Sequence, residues 1–186
     1  MTSVRPETKQ PQSVRDIAVR GLRSSARFSG RDSRRQFWIY CGCVFGALFV
    51  PAQVVMVAAL VPSFVTVRQS GTAPADIGPP PAFFVVLVLS IVALALLLAA
   101  AVARRLHDTG RSGALGLLPL PFLGVGLIGV ATLFDDFGGE PEAGDLDLFM
   151  LMFVNNAVYM LALALLVWRL VSAGTDGPNH YGPPPA

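Results

Sequence analysis

An imidazole and a carboxylate stand side by side at one place in the chain, His107 and Asp108. Such a pair can serve as general acid and base, or as a metal ligand with a carboxylate behind it. The surrounding sequence favours neither use. His180 is the only other histidine, and one histidine with one carboxylate does not make a metal site. A hydrolase needs a nucleophile, a base and an oxyanion site that converge. The nearest hydroxyls, Thr109 and Ser112, instead occupy positions suited to a helix stop and a helix cap. The simpler expectation is a helix end tied to backbone and to neighbouring arginines. No catalytic residue, metal ligand or cofactor is therefore assigned.

Arginine is the other residue type that could do chemistry. Thirteen of the fourteen basic residues are arginines, Lys9 being the exception. Arg31, Arg34, Arg35, Arg104, Arg105 and Arg111 recur in short segments that also hold Trp38, His107, Asp108, Asn179 and Tyr181. These eleven residues form the candidate motif cluster. One use for it is a cradle for anionic lipid headgroups, each base near such a surface contributing roughly 1 kcal/mol. The plainer use is to fix topology alone. Asp108 is the only acid among Arg104, Arg105 and Arg111, and Asp32 the only one beside Arg31, Arg34 and Arg35. Scarce acids among many bases should find partners. Asp108 is therefore expected to contact an arginine, with Asn179 or Tyr181 packed nearby; the contrary expectation is a tail that hangs free, as its Pro and Gly content allows.

Other constellations are weaker. The acidic run Asp135, Asp136, Glu140, Glu142, Asp145 and Asp147 lacks the ligand order of a calcium loop and reads as a solvated negative segment. Cys41 and Cys43 lie two apart in an apolar run, where helical side chains diverge, so no disulfide framework or zinc site follows. Gly42 with Gly46, and Asn155 with Asn156, read as helix-packing features. No basic groove with interleaved aromatic platforms is present to take nucleic acid.

The elements that carry these residues follow from composition. The chain is 53% hydrophobic and 14% charged, with a mean hydropathy of +0.59. A soluble surface needs more charge than that, so much of the exterior must face lipid. Four runs reach the roughly 20 residues needed to cross a hydrocarbon core of about 30 Å: 37–62, 82–102, 114–134 and 148–168. None contains an ionisable Asp, Glu, Lys, Arg or His. In lipid each backbone amide must bond within its own segment, and continuously apolar runs exclude an alternating barrel. The fold class is an all-α membrane protein with four transmembrane helices.

Charge asymmetry sets the orientation. Thirteen of the fourteen bases fall before the first run, between the second and third, or after the fourth; Arg68 alone lies on the other side. Positive residues are retained in the cytoplasm, so both termini belong there. Residues 1–12 read as a disordered leader. At 13–28, Val14, Ile17, Ala18 and Leu22 share helical spacing among arginines, the pattern of an interfacial helix. The membrane domain then covers 29–173 and the cytoplasmic tail 174–186. No removable signal peptide is read at the N-terminus. Ser33 and Gln36 have capping-box spacing, and Asp108-Thr109-Gly110 followed by Ser112 reads as a stop, turn and cap making runs two and three a hairpin. Pro119 and Pro121 should bend or loosen run three, whose Gly124, Gly126 and Gly129 should pack inside the bundle. The segment 71–81 reads as a loop.

Three segments carry a family resemblance: Phe28-Ser-Gly-Arg-Asp-Ser-Arg-Arg-Gln-Phe-Trp38, Arg104-Arg-Leu-His-Asp-Thr-Gly-Arg-Ser-Gly113 and Gly174-Thr-Asp-Gly-Pro-Asn-His-Tyr-Gly182. Together, over about residues 17–184, the chain resembles the YhaH-like bacterial inner-membrane proteins, domain of unknown function 805. The resemblance implies an arginine-rich aromatic start before the first span, an Arg-Arg-Leu-His-Asp run between two spans and a Gly-Pro-Asn-x-Tyr-Gly-type ending. Two departures stand out. An acidic loop and a fourth span precede the closing motif, and Ala114 and Leu115 stand where aromatics often follow the second Ser-Gly. The family implies an integral membrane location and no established reaction.

The resulting expectation is a non-catalytic inner-membrane protein with an interaction, assembly or lipid-contacting role. Its expected partners are the lipid bilayer, anionic phospholipid headgroups and other membrane proteins, with homo-oligomers allowed. A small oligomeric transporter or channel is the alternative, although no ionisable group lies within the spans where coupled carriers place them. A membrane enzyme using His107 and Asp108 is the third reading. A pocket enclosing that pair would favour it, whereas a filled arginine network would favour a structural role.

Overall fold

The computed structural model describes residues 12–70, 81–135 and 145–185, and among these it is all-helical. The expected disordered leader, except Gln12, and the loop at 71–81, except Pro81, lie outside the described residues, as does most of the acidic segment. The elements are α1 (Val14–Arg23), α2 (Arg34–Ser70), α3 (Pro81–Asp108), a 3₁₀ turn (Gly113–Leu117), α4 (Leu120–Asp135) and α5 (Asp145–Val171). Four stretches are long and apolar enough to cross a membrane: Arg34–Val55, Val85–Asp108, Gly113–Thr132 and Leu146–Val171.

Local chemistry starts and stops these helices. Gln36 N donates to Ser33 Oγ (3.3 Å) and Ser33 N donates to Gln36 Oε1 (3.1 Å), the reciprocal bonds of a capping box opening α2. That helix continues through Pro51 and Pro62 to Ser70, past the expected span end at Pro62. At the end of α3, Gly110 takes φ +72°. Its N–H bonds the His107 carbonyl and the Arg111 N–H bonds the Leu106 carbonyl, each at 3.0 Å, a Schellman closure in which a glycine takes the left-handed turn. The helix thus carries Arg104 just before its last turn and Arg105, His107 and Asp108 on it, rather than in a connecting loop.

The third span is broken rather than bent. Ser112 Oγ caps a single 3₁₀ turn by accepting from Ala114 N at 3.3 Å, and α4 begins afresh when the Pro119 carbonyl accepts from Leu123 N at 3.1 Å. Pro121 occupies the first turn, where a missing N–H costs nothing. The 3₁₀ turn lies directly on α3, since a Cβ on Gly113 or Gly116 would meet Ala103 or Val102 at 2.8 Å. Of the α4 glycines, Gly129 is pressed against Met152 of α5 and Gly126 faces Asn155, whereas Gly124 has open space around it. Gly42 and Gly46 also face open space, so their small-residue pair packs against nothing among the described residues.

Helices α2 with α3 and α4 with α5 form two hairpins, and the buried core lies where these meet near the ends of α3 and α5 and the start of α2. Phe37, Tyr40 and Val44 of α2 pack with Ala101 and Leu106 of α3 and Leu166 and Leu170 of α5. Helix α1 docks there through buried Ile17, and its Gly21 admits the Tyr40 ring. Val14 and Leu22 remain on its open face. Away from this end the long helices expose Val, Leu and Phe side chains, the surface expected of spans whose neighbours are lipid tails.

Candidate functional site

The buried end of the bundle holds three guanidiniums and two carboxylates. Arg31 comes from the segment before α2, Arg104 and Arg105 from the C-terminal end of α3, Asp32 from beside Arg31, and Asp108 from the α3 terminus. All five residues are buried. Arg105 and Arg31 have side chains 0% and 1% exposed. A helix turns about 100° per residue, so consecutive Arg104 and Arg105 leave α3 in different directions and build two linked sites.

In the first site Asp108 joins two arginines. Its Oδ1 accepts from Arg31 Nε at 3.0 Å and lies 2.9 Å from Arg31 Nη2; its Oδ2 pairs with Arg105 Nη1. Arg31 also donates to the carbonyls of Gly177 (2.7 Å), Thr175 (2.8 Å) and Gly182 (3.3 Å). Arg105 donates to the Leu170 carbonyl at 2.9 Å and to that of Ser172. In the second site Arg104 Nε donates to Asp32 Oδ2 at 2.8 Å, and its Nη1 reaches the carbonyls of Ser24 and Arg27 beyond α1. Arg20 adds a 3.4 Å contact to Asp32 from the half-exposed side.

The bases outnumber the acids by one, and seven backbone carbonyls compensate. Ser24 caps the C-terminus of α1, while Leu170 and Ser172 lie at the C-terminus of α5. There the last carbonyls lack helical partners and carry the negative end of the helix dipole. A planar guanidinium can span a carboxylate and two carbonyls at once; an ammonium cannot. Among the described residues no buried side-chain nitrogen or oxygen lacks a hydrogen-bond partner.

The tail closes the arrangement. Thr175 N donates to the Asp108 carbonyl at 2.8 Å, and Asn179 Nδ2 donates to the His107 carbonyl at 3.0 Å. Asn179 also folds the tail on itself: its backbone pairs with Gly182 and its Oδ1 accepts from Tyr181 N at 2.9 Å. The Tyr181 ring stacks on His107 with centroids 3.8 Å apart and planes 7° from parallel. His107 Nδ1 stands 3.3 Å from the Gly30 carbonyl.

Of the eleven residues singled out from sequence, Arg31, Arg104, Arg105, His107, Asp108, Asn179 and Tyr181 come together. Arg34, Arg35, Arg111 and Trp38 remain exposed outside the buried cluster. Arg34 reaches the Val171 carbonyl at 3.5 Å, Arg35 reaches that of Gln12 at 3.2 Å, and Trp38 sets its edge against Phe37. The side chains of His107 and Asp108 engage different partners, as adjacent helical residues point apart: the carboxylate serves two arginines and the imidazole stacks on tyrosine. Among the described residues no three His, Cys, Asp or Glu side chains form a metal-binding group.

Sequence reasoning did not single out Thr175, although it stands in the third quoted segment, and it had no means of finding the carbonyls, which carry no residue signature. The Asn155 amide, 3.0 Å from the Phe122 carbonyl, ties α5 to α4.

No curated protein and no solved structure matches the chain. A family model does, over residues 25–183, a range running from the first arginine-rich segment through the fourth span to the closing motif. All three segments that build the clasp lie within it, and the chain belongs to that family, DUF805, described as proteins of unknown function.

Proposed function

We propose that this multi-pass membrane protein is a non-catalytic component of the bacterial inner membrane, with both termini in the cytoplasm, whose arginine clasp holds the helix ends together and presents its outer arginines to anionic lipid headgroups. The carrying observation is that the polar interior of the clasp is fully bonded. Both Asp108 oxygens are engaged by buried guanidiniums, leaving no free acid or base at the centre. What remains available is the rim, where Arg23, Arg27, Arg34, Arg35 and Arg111 are exposed at the same end of the bundle. Each base beside an anionic surface contributes about 1 kcal/mol, screened within about 10 Å at 0.1 M salt.

The orientation is supported by the thirteen-to-one division of basic residues. The enzyme reading loses support from the separate engagement of His107 and Asp108, and the channel reading from Asn155, whose amide bonds a neighbouring helix.

The test is reconstitution in nanodiscs of phosphatidylcholine with or without phosphatidylglycerol. The anionic lipid should raise the unfolding midpoint, and 0.5 M salt should remove the gain. Equal midpoints in both lipids at low salt refute the headgroup reading.

A further inference from the structure

Beyond the clasp the two hairpins diverge. Between α3, the 3₁₀ turn, α4 and α5 they leave a groove of about 660 Å³, within the range of sites that hold small molecules. Its walls are apolar, with Leu94, Leu98 and Val102 facing Leu117, Leu123 and Leu163. The polar side chains of its lining are His107 and Ser112, at the mouth beside Phe28, and Tyr159 of α5.

From the geometry we infer that this groove binds one acyl chain of an anionic glycerophospholipid, with the phosphate at the His107–Ser112 mouth. The inference rests on the headgroup reading above and assigns it a specific site. Shape selects the chain. From Ile91 to His107, both in the lining, α3 rises about 24 Å at 1.5 Å per residue. One leaflet of the hydrocarbon core is about 15 Å deep, so an extended chain lies along the groove with room to spare.

Charge selects the headgroup. The lining contains no acidic residue. Arg111 and Arg27, both exposed, adjoin the mouth residues Ser112 and Phe28 in sequence, and neither makes an ion pair among the described residues. The nearest carboxylates along the chain, Asp108 and Asp32, are engaged by Arg31 with Arg105 and by Arg104 with Arg20. The mouth therefore offers a hydroxyl and an imidazole, with two exposed arginines next to it in sequence, a set matched to a phosphodiester.

The full chain, in nanodiscs containing phosphatidylglycerol with a photoreactive diazirine at the acyl terminus, tests this directly. Crosslinks should concentrate on groove residues such as Leu94 and Leu163. In native mass spectrometry with equal phosphatidylglycerol and phosphatidylethanolamine, one phosphatidylglycerol should be retained. Ala99→Phe, which fills the groove, should lose it, and Arg111→Gln should lower the preference about fivefold. Leu96→Phe, on an exposed position outside the lining, should bind as the wild type does, and unfolding midpoints identify any variant that is misfolded. Crosslinks spread evenly over the outer faces of α2 and α5, or joining two copies of the chain, overturn the groove site. If phosphatidylglycerol still stabilises the protein in that case, the headgroup reading survives without the groove; if it does not, both fall.

Discussion

Replacing Asp108 by Asn removes the one carboxylate shared by two guanidiniums whose side chains are 1% and 0% exposed. The amide keeps one acceptor oxygen, but its NH₂ group points donors at a donor, so either Arg31 or Arg105 loses its acid and faces an opposing dipole. Leaving a buried charge without its partner costs about 3–5 kcal/mol. Here one acid serves two bases, although carbonyls at Thr175, Gly177, Leu170 and Ser172 retain part of the compensation. We expect a loss of about 4 kcal/mol, a large part of the 5–15 kcal/mol typical of folded proteins. Arg105→Lys keeps the charge and gives up the fork that reaches Asp108, Leu170 and Ser172 together. Losing one or two charge-assisted bonds at about 1.5–3 kcal/mol each sets its cost near 3 kcal/mol. Equilibrium unfolding in mixed detergent micelles, followed by Trp38 and Trp168 fluorescence, measures both. Asp176→Asn, at an exposed tail position, should stay within about 0.5 kcal/mol. If Asp108→Asn and Arg105→Lys also stay within that range, the clasp does not hold the bundle together.

Gly110→Ala should destabilise the protein by about 1 kcal/mol, because φ +72° places a Cβ in the left-handed region; an unchanged unfolding midpoint would mean that the α3 terminus is not held as described. Tyr181→Ala should loosen the tail by about 1 kcal/mol through loss of the His107 stack and raise amide exchange at Thr175 and Asn179, while Tyr181→Phe should leave that exchange unchanged. For topology, a cysteine introduced at either terminus should resist periplasmic labelling in a Cys41→Ala, Cys43→Ala background, whereas one placed at Glu142 should react; the reverse pattern would invert the orientation.

Several features were legible without the fold because their causes are local. Runs of apolar residues without ionisable groups force helices in lipid whatever their neighbours are, and the structure has four helical stretches long and apolar enough to cross a membrane. The Ser33–Gln36 box and the Gly110 stop are set by residues a few positions apart, so spacing reveals them. Even the pairing of scarce acids with abundant arginines follows from charge alone. The tertiary structure decided what spacing cannot encode. Arg31 and Arg105 are buried while Arg34, Arg35 and Arg111 are exposed, although all five are arginines in the same two motifs. The difference lies in the direction in which each residue leaves its backbone and in which helix ends deliver free carbonyls to meet it. Those carbonyls belong to every residue type and leave no mark in the sequence. Tertiary contact also placed the 3₁₀ turn against Ala103, opened Gly42 and Gly46 to the surface and parted the hairpins to form the groove, because each outcome depends on which faces of distant segments meet.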